Sequence, residues 1–115
     1  MNIPMVYVTA AWPKNEMMRQ RQAAKYCRIL YDAGCFPICP VLAVEPFLND
    51  AVKEDHHKRR EYAEELIRRS HLIVCCGDDE DSEMNYELAF GKKRGIISTT
   101  LDGIQEINWK KFLDS

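Results

Sequence analysis

At 115 residues, with 16 Lys and Arg against 18 Asp and Glu, the chain (1–115) has the size of one domain with one core and a net charge of −2, which offers no basic footprint for nucleic acid. No apolar run approaches a membrane span, and the N-terminus lacks the apolar stretch of a signal peptide. Five cysteines (Cys27, Cys35, Cys39, Cys75, Cys76) form an odd set without a C-x-x-C; they read as reduced, mostly buried thiols of a cytoplasmic protein, not a disulfide framework or zinc site, and no metal or cofactor is expected.

Pro4 to Ala10 reads as a first strand, with Val6 and Val8 on one face and Tyr7 and Thr9 on the other. Ala11, Trp12 and Pro13 end it, and Asn15 is a candidate cap for a helix over Glu16 to Ala33. Its apolar or small residues are Ala23, Ala24, Cys27, Leu30 and Tyr31, and Gly34 closes it as the C′ residue. Cys35 to Cys39 is a short strand in which Pro37 removes a ladder donor, so it belongs at a sheet edge. Pro40 to Lys53 reads as irregular, with Pro46, Phe47 and Leu48 packing locally. Asp55 is a candidate cap for a second helix reaching Arg69; Tyr62, Ala63, Leu66 and Ile67 form its apolar stripe, while Lys58, Arg59, Arg60, Arg68 and Arg69 stay wet.

Leu72 to Cys76, apolar and β-branched before Gly77, is a central strand. A carboxylate-rich turn follows, then a helix with Ser82 at its N-cap and Gly95 beyond its end. Ile96 to Thr99 is a fourth strand. The tail from Leu101 to Ser115 carries Ile104, Ile107, Trp109, Phe112 and Leu113, too apolar to remain free. Strands alternating with helices imply an α/β fold: a Rossmann-like or flavodoxin-like three-layer sandwich, its parallel sheet in the order 2-1-3-4 with helices on both faces. Strands 1 and 3 then meet at a topological switch point, where such sheets bind ligands. Ala10 to Pro13 and Gly77 to Ser82 flank that crevice.

Glu87 is out of place on its helix. It falls with Met84, Leu88, Phe90 and Gly91 on the side that faces the sheet, without a cation at i+3 or i+4 and with Glu83 at i−4. Such a carboxylate is either turned out to water or kept for chemistry. Burial and Glu83 raise its pKa; the nearby helix N-terminus lowers it. Asp81, six residues earlier, brings a second carboxylate to the crevice, the pair that glycosidic cleavage needs. Trp12 offers a face for a base or sugar, or else packs at the rim. Tyr7 can orient Glu87, or else is an ordinary sheet tyrosine. Ala10, Ala11, Gly77, Asp78, Ser82 and Met84 are the remaining candidate substrate contacts. His56 and His57 read as a solvated helix start. No G-x-G-x-x-G or P-loop is present, and the acidic turn would repel a phosphate, which favours an uncharged nucleoside unless Lys14, Arg19 or Arg21 reaches over.

These residues carry a resemblance. V-Y-V-T-A-A-W-P near the N-terminus, with D-D-E-D-S-E-M-N-Y-E-L-A-F-G-K later, resembles the nucleoside 2-deoxyribosyltransferase family. Small bacterial and phage members of that superfamily share the segments found here at Ala23 to Arg28, Pro37 to Pro40 and Pro46 to Leu48. The resemblance implies a glutamate nucleophile at Glu87, an aspartate near the leaving base at Asp81, an orienting tyrosine at Tyr7 and an aromatic pocket mouth at Trp12. It also implies a homo-oligomer, a dimer or higher. Two departures stand out. A further acidic residue on the preceding helix falls on Ala63, with Glu61 and Glu64 nearby but facing elsewhere unless the register slips, and a glycine of the acidic turn is replaced by Glu83. The expected function is N-glycosyl transfer or hydrolysis at C1′ of a deoxynucleoside, the partner being a small nucleoside or nucleotide. The alternative is a non-catalytic module that binds such a ligand.

Overall fold

The computed structural model describes residues 3–105. In chain order its elements are β1 (Met5–Ala10), α1 (Glu16–Asp32), β2 (Phe36–Ile38), α2 (Pro40–Ala43), a 3-10 turn (Glu45–Phe47), α3 (Lys53–Arg68), β3 (Leu72–Cys76), α4 (Ser82–Lys93), β4 (Ile97–Thr100) and α5 (Leu101–Gln105). The strands are all parallel in the order β2-β1-β3-β4. Pro37 sits in the edge strand, as its missing donor requires.

Alternation along β1 divides the core in two. Val6, Val8 and Ala10 join Ala23 and Leu30 of α1, Leu72, Val74 and Cys76 of β3, and Ile104 of α5. Tyr7 joins Ile73 of β3 with Ala63 and Ile67 of α3 on the other face, where α4 also packs. Helices therefore cover both faces, α1 and α5 on one side and α3 and α4 on the other, as right-handed crossovers dictate. Strands 1 and 3 are neighbours in the register Tyr7 to Ile73 and Thr9 to Cys75. The switch point lies at their carboxyl ends.

Local chemistry sets the helix ends. Asn15 caps α1, its Oδ1 accepting from the Met18 amide at 3.0 Å. Gly34 (φ +91°) and Gly95 (φ +73°) follow α1 and α4 in the left-handed region that glycine tolerates. Gly91 has a packing role: a Cβ there would stand 2.5 Å from Cδ1 of Ile73, so its hydrogen lets α4 lie close on the sheet.

Several local expectations are corrected. Asp81, not Ser82, caps α4, because its extended backbone lets the carboxylate accept from the Met84 amide at 2.8 Å. Asp55 does not cap α3, which begins at Lys53 after Val52; its carboxylate accepts from the Asn49 amide at 2.9 Å in the preceding loop. The segment after Pro40 is not irregular throughout, since proline at the first helical position starts α2. Ala24 and Tyr31 of α1 are exposed, Tyr31 beneath the Arg28 guanidinium. Tyr62 lies outside the buried stripe of α3, 40 % exposed beside the ring of Phe47. Strand 4 begins and ends one residue later than expected. Ile104 docks on the core, whereas Ile107, Trp109, Phe112 and Leu113 lie outside the described residues. Among the described residues no helix is long and apolar enough to cross a membrane.

Candidate functional site

Helical spacing aims Glu87 inward. Gly91 rests on Ile73, and four residues earlier on the same face of α4 the Glu87 side chain reaches the sheet. Oε1 of Glu87 accepts from Thr9 Oγ1 at 2.7 Å, and Oε2 accepts from the Tyr7 hydroxyl. Tyr7 and Thr9 are both fully buried and alternate on one face of β1. Two hydroxyls 80 and 78 residues away in the chain thus hold one carboxylate against the sheet.

Burial dominates the electrostatics. It pushes Glu87 up from 4.5 to about 7, against the hydrogen bonds from Tyr7 and Thr9, which favour the ionised form; Glu83 and Asp81 add smaller upward contributions. Near neutral pH this carboxyl is divided between its two forms. Burial, reinforced by the neighbouring Glu87, raises Tyr7 well above its ordinary value, which keeps its hydroxyl a donor. Among the described residues Glu87 has no cationic partner.

Glu87, Tyr7 and Trp12 line one cleft, with Ala63 and Glu64 of α3 opposite and Tyr86 of α4 at its edge. Trp12 leans on Tyr26 of α1, ring centroids 6.0 Å apart and tilted by 50°. The cleft is narrow, about 30 Å³, enough for a water and far below the several hundred Å³ of a nucleoside-sized pocket. Ion pairs stand at its two ends. Arg19 of α1 grips Glu45 through both carboxylate oxygens at 2.7 and 2.8 Å. Arg59 of α3 reaches Glu83 at 3.2 Å and Asp50 at 3.6 Å. Past each pair the surface opens into a wider hollow, about 410 Å³ beside Arg19 and Glu45 and about 610 Å³ beside Arg59, Arg60 and His57.

Of the residues singled out from sequence, Glu87, Tyr7 and Trp12 meet at this cleft. Asp81 is exposed and holds the α4 N-terminus; it is not among the residues lining the cleft. Ser82 lines the larger hollow. Ala10 and Met84 are buried, Ala11 is half-buried, and Gly77 and Asp78 are exposed. Lys14 lines the hollow on the Arg19 side. Thr9 was missed, although the alternation that turns Tyr7 toward Glu87 turns Thr9 there too. Glu64 does not face elsewhere: it lines the cleft beside Ala63 and accepts from the Tyr86 hydroxyl at 2.5 Å. Nor is Arg59 wet, since its side chain is only 16 % exposed; a charge run gave no sign of which arginine would turn in. Among the described residues no cluster of three or more His, Cys, Asp or Glu could hold a metal ion.

A family model described as Domain of unknown function (DUF7768) matches residues 4–100. No curated protein matches the chain. Among solved structures, the 2-deoxyribosyltransferase of the psychrotolerant bacterium Bacillus psychrosaccharolyticus is similar, with a TM-score of 0.75 at 12 % identity over 94 % of this chain and 95 % of that one. At that identity the likeness is one of fold.

Proposed function

Because the chain belongs to the DUF7768 family, whose description assigns no activity, we propose a function from the site itself: N-glycosyl chemistry on a deoxynucleoside, with Glu87 as nucleophile. The carboxylate attacks C1′, the bond from C1′ to the base nitrogen breaks, and the base departs with its electron pair and gains a proton. A second base or water then displaces Glu87 from C1′, completing transfer or hydrolysis. Tyr7 and Thr9 position the attacking oxygens, Trp12 stacks on the base or sugar, and Asp81, which caps α4 outside the cleft lining, assists the departing base.

One observation supports this reading above the rest: a carboxylate without a cationic partner among the described residues, held inward by two buried hydroxyls in a cleft at the switch point. The fold shared with a 2-deoxyribosyltransferase is consistent with it. The test is incubation with a panel of 2′-deoxynucleosides and free bases, with chromatographic detection of exchanged or released base. Turnover that Glu87→Ala abolishes supports the reading; no exchange and no hydrolysis, or an unaffected variant, overturns it.

A second reading, ligand binding without turnover, is favoured by the small volume of the cleft, about 30 Å³. A nucleoside that raises the melting temperature and is recovered intact after prolonged incubation selects it.

A further inference from the structure

Three arginines from two helices reach the Glu87 cleft: Arg19 from α1, and Arg59 and Arg60 from α3. Their states differ. Arg19 is satisfied by its two-oxygen grip on Glu45, and both side chains are largely buried. Arg59 is as buried as Arg19, yet its partners Glu83 and Asp50 are both more than half exposed and held at 3.2 and 3.6 Å. Arg60 stacks on the ring of Tyr86 at 4.1 Å, and among the described residues no carboxylate lies within ion-pairing distance of it. The Tyr86 hydroxyl is committed to Glu64, which ties down the carboxylate nearest that ring. Two adjacent guanidinium groups therefore stand where the cleft opens into the hollow of about 610 Å³, one loosely paired and one unpaired among the described residues.

We infer that the ligand of this cleft carries a phosphate, as a nucleoside monophosphate does, and that Arg59 and Arg60 take it. The planar guanidinium presents paired donors that match phosphate oxygens, and the doubly charged phosphate replaces two solvent-exposed carboxylates with one strong acceptor. The acidic turn that argues against an anion from sequence is countered here by side chains from α3. The same contact accounts for admission. Arg59 and Glu83 join α3 to α4 across the end of a cleft too narrow for a sugar. A phosphate that draws Arg59 from Glu83 removes that tie and opens the way from the hollow to Glu87. An unphosphorylated nucleoside lacks that lever and enters less readily, so it binds more weakly at the same site. This inference rests on the Glu87 cleft being the substrate site.

The experiment is calorimetric titration of the full chain with a 2′-deoxynucleoside 5′-monophosphate, the matching deoxynucleoside and inorganic phosphate, repeated with Arg60→Gln and Arg59→Gln after thermal melts confirm folding. The monophosphate is expected to bind at least ~10-fold tighter than the nucleoside, and each variant to shrink that ratio by roughly 10-fold. Arg60 is exposed, so its variant carries the test even where Arg59→Gln unfolds. Equal affinities, a ratio untouched by Arg60→Gln, or inorganic phosphate binding as tightly as the monophosphate overturns the inference. In those cases cleavage of the unphosphorylated deoxynucleoside by Glu87 leaves the proposed function standing. If neither nucleoside form binds, both fall.

Discussion

Glu87 makes the fold less stable as pH rises, and neutralising it tests the geometry without any substrate. Its carboxyl moves from an ordinary 4.5 to about 7 on burial. Between those values the folded chain holds a proton that the unfolded chain has released. The stability tied to that proton is complete below the unfolded value and is lost as pH climbs through the folded one. At about 1.36 kcal/mol per pH unit the loss totals about 3 kcal/mol. Glu87→Gln keeps the side-chain shape and a carbonyl acceptor for Thr9 or Tyr7, and never ionises. The variant is therefore expected to match the wild type near pH 4.5 and to exceed it by about 3 kcal/mol above pH 8. Urea unfolding of both proteins in small pH steps across that range measures the difference, and subtraction cancels the remaining carboxylates. Parallel stability curves would refute an inward, desolvated Glu87. So would an advantage for the glutamine confined to acid pH, which is the opposite sign.

Tyr7→Phe removes a donor that favours the ionised form of Glu87, so the midpoint of the pH–rate profile is expected to move above about 7 as turnover falls; an unmoved or acid-shifted midpoint denies Tyr7 that role. Asp81→Ala deprives α4 of its cap at a cost of about 1 kcal/mol, whereas Asp81→Asn retains an acceptor and the stability. A rate lost in the asparagine variant assigns Asp81 to the departing base; a rate retained leaves it a cap alone. Gly91→Ala drives a methyl to within 2.5 Å of the Ile73 Cδ1, an overpacking expected to cost about 1–3 kcal/mol in urea unfolding. Ile73→Val removes that Cδ1, so the double variant should cost less than the sum of the singles; strict additivity argues against the contact.

The chain order of strands and helices, the edge position forced by Pro37 and the inward face of the Glu87 helix are written in short-range patterns. Periodicity, capping residues and a missing donor act within a few residues, so they can be read without knowing what lies across the core. The choice between Asp81 and Ser82 as the cap was less legible. Both are good acceptors one residue apart, and the extended backbone of Asp81, set by the path of the turn out of β3, decides it.

Sequence alone thus determined a parallel sheet with strands 1 and 3 adjacent, and a carboxylate on the sheet side of its helix that was either turned out to water or kept for the crevice. Only the tertiary structure decided what meets that carboxylate and how wide its cleft is. Tyr7 and Thr9 come from the far end of the chain, Arg19 from the opposite layer, and Arg59 from the middle of a charge run whose members are locally indistinguishable. Which of several like-charged side chains turns inward depends on the partners that packing delivers: Glu83 and Asp50 take Arg59, while Arg60 stays exposed over the ring of Tyr86. Those partners lie on separate elements, and no local spacing encodes their meeting.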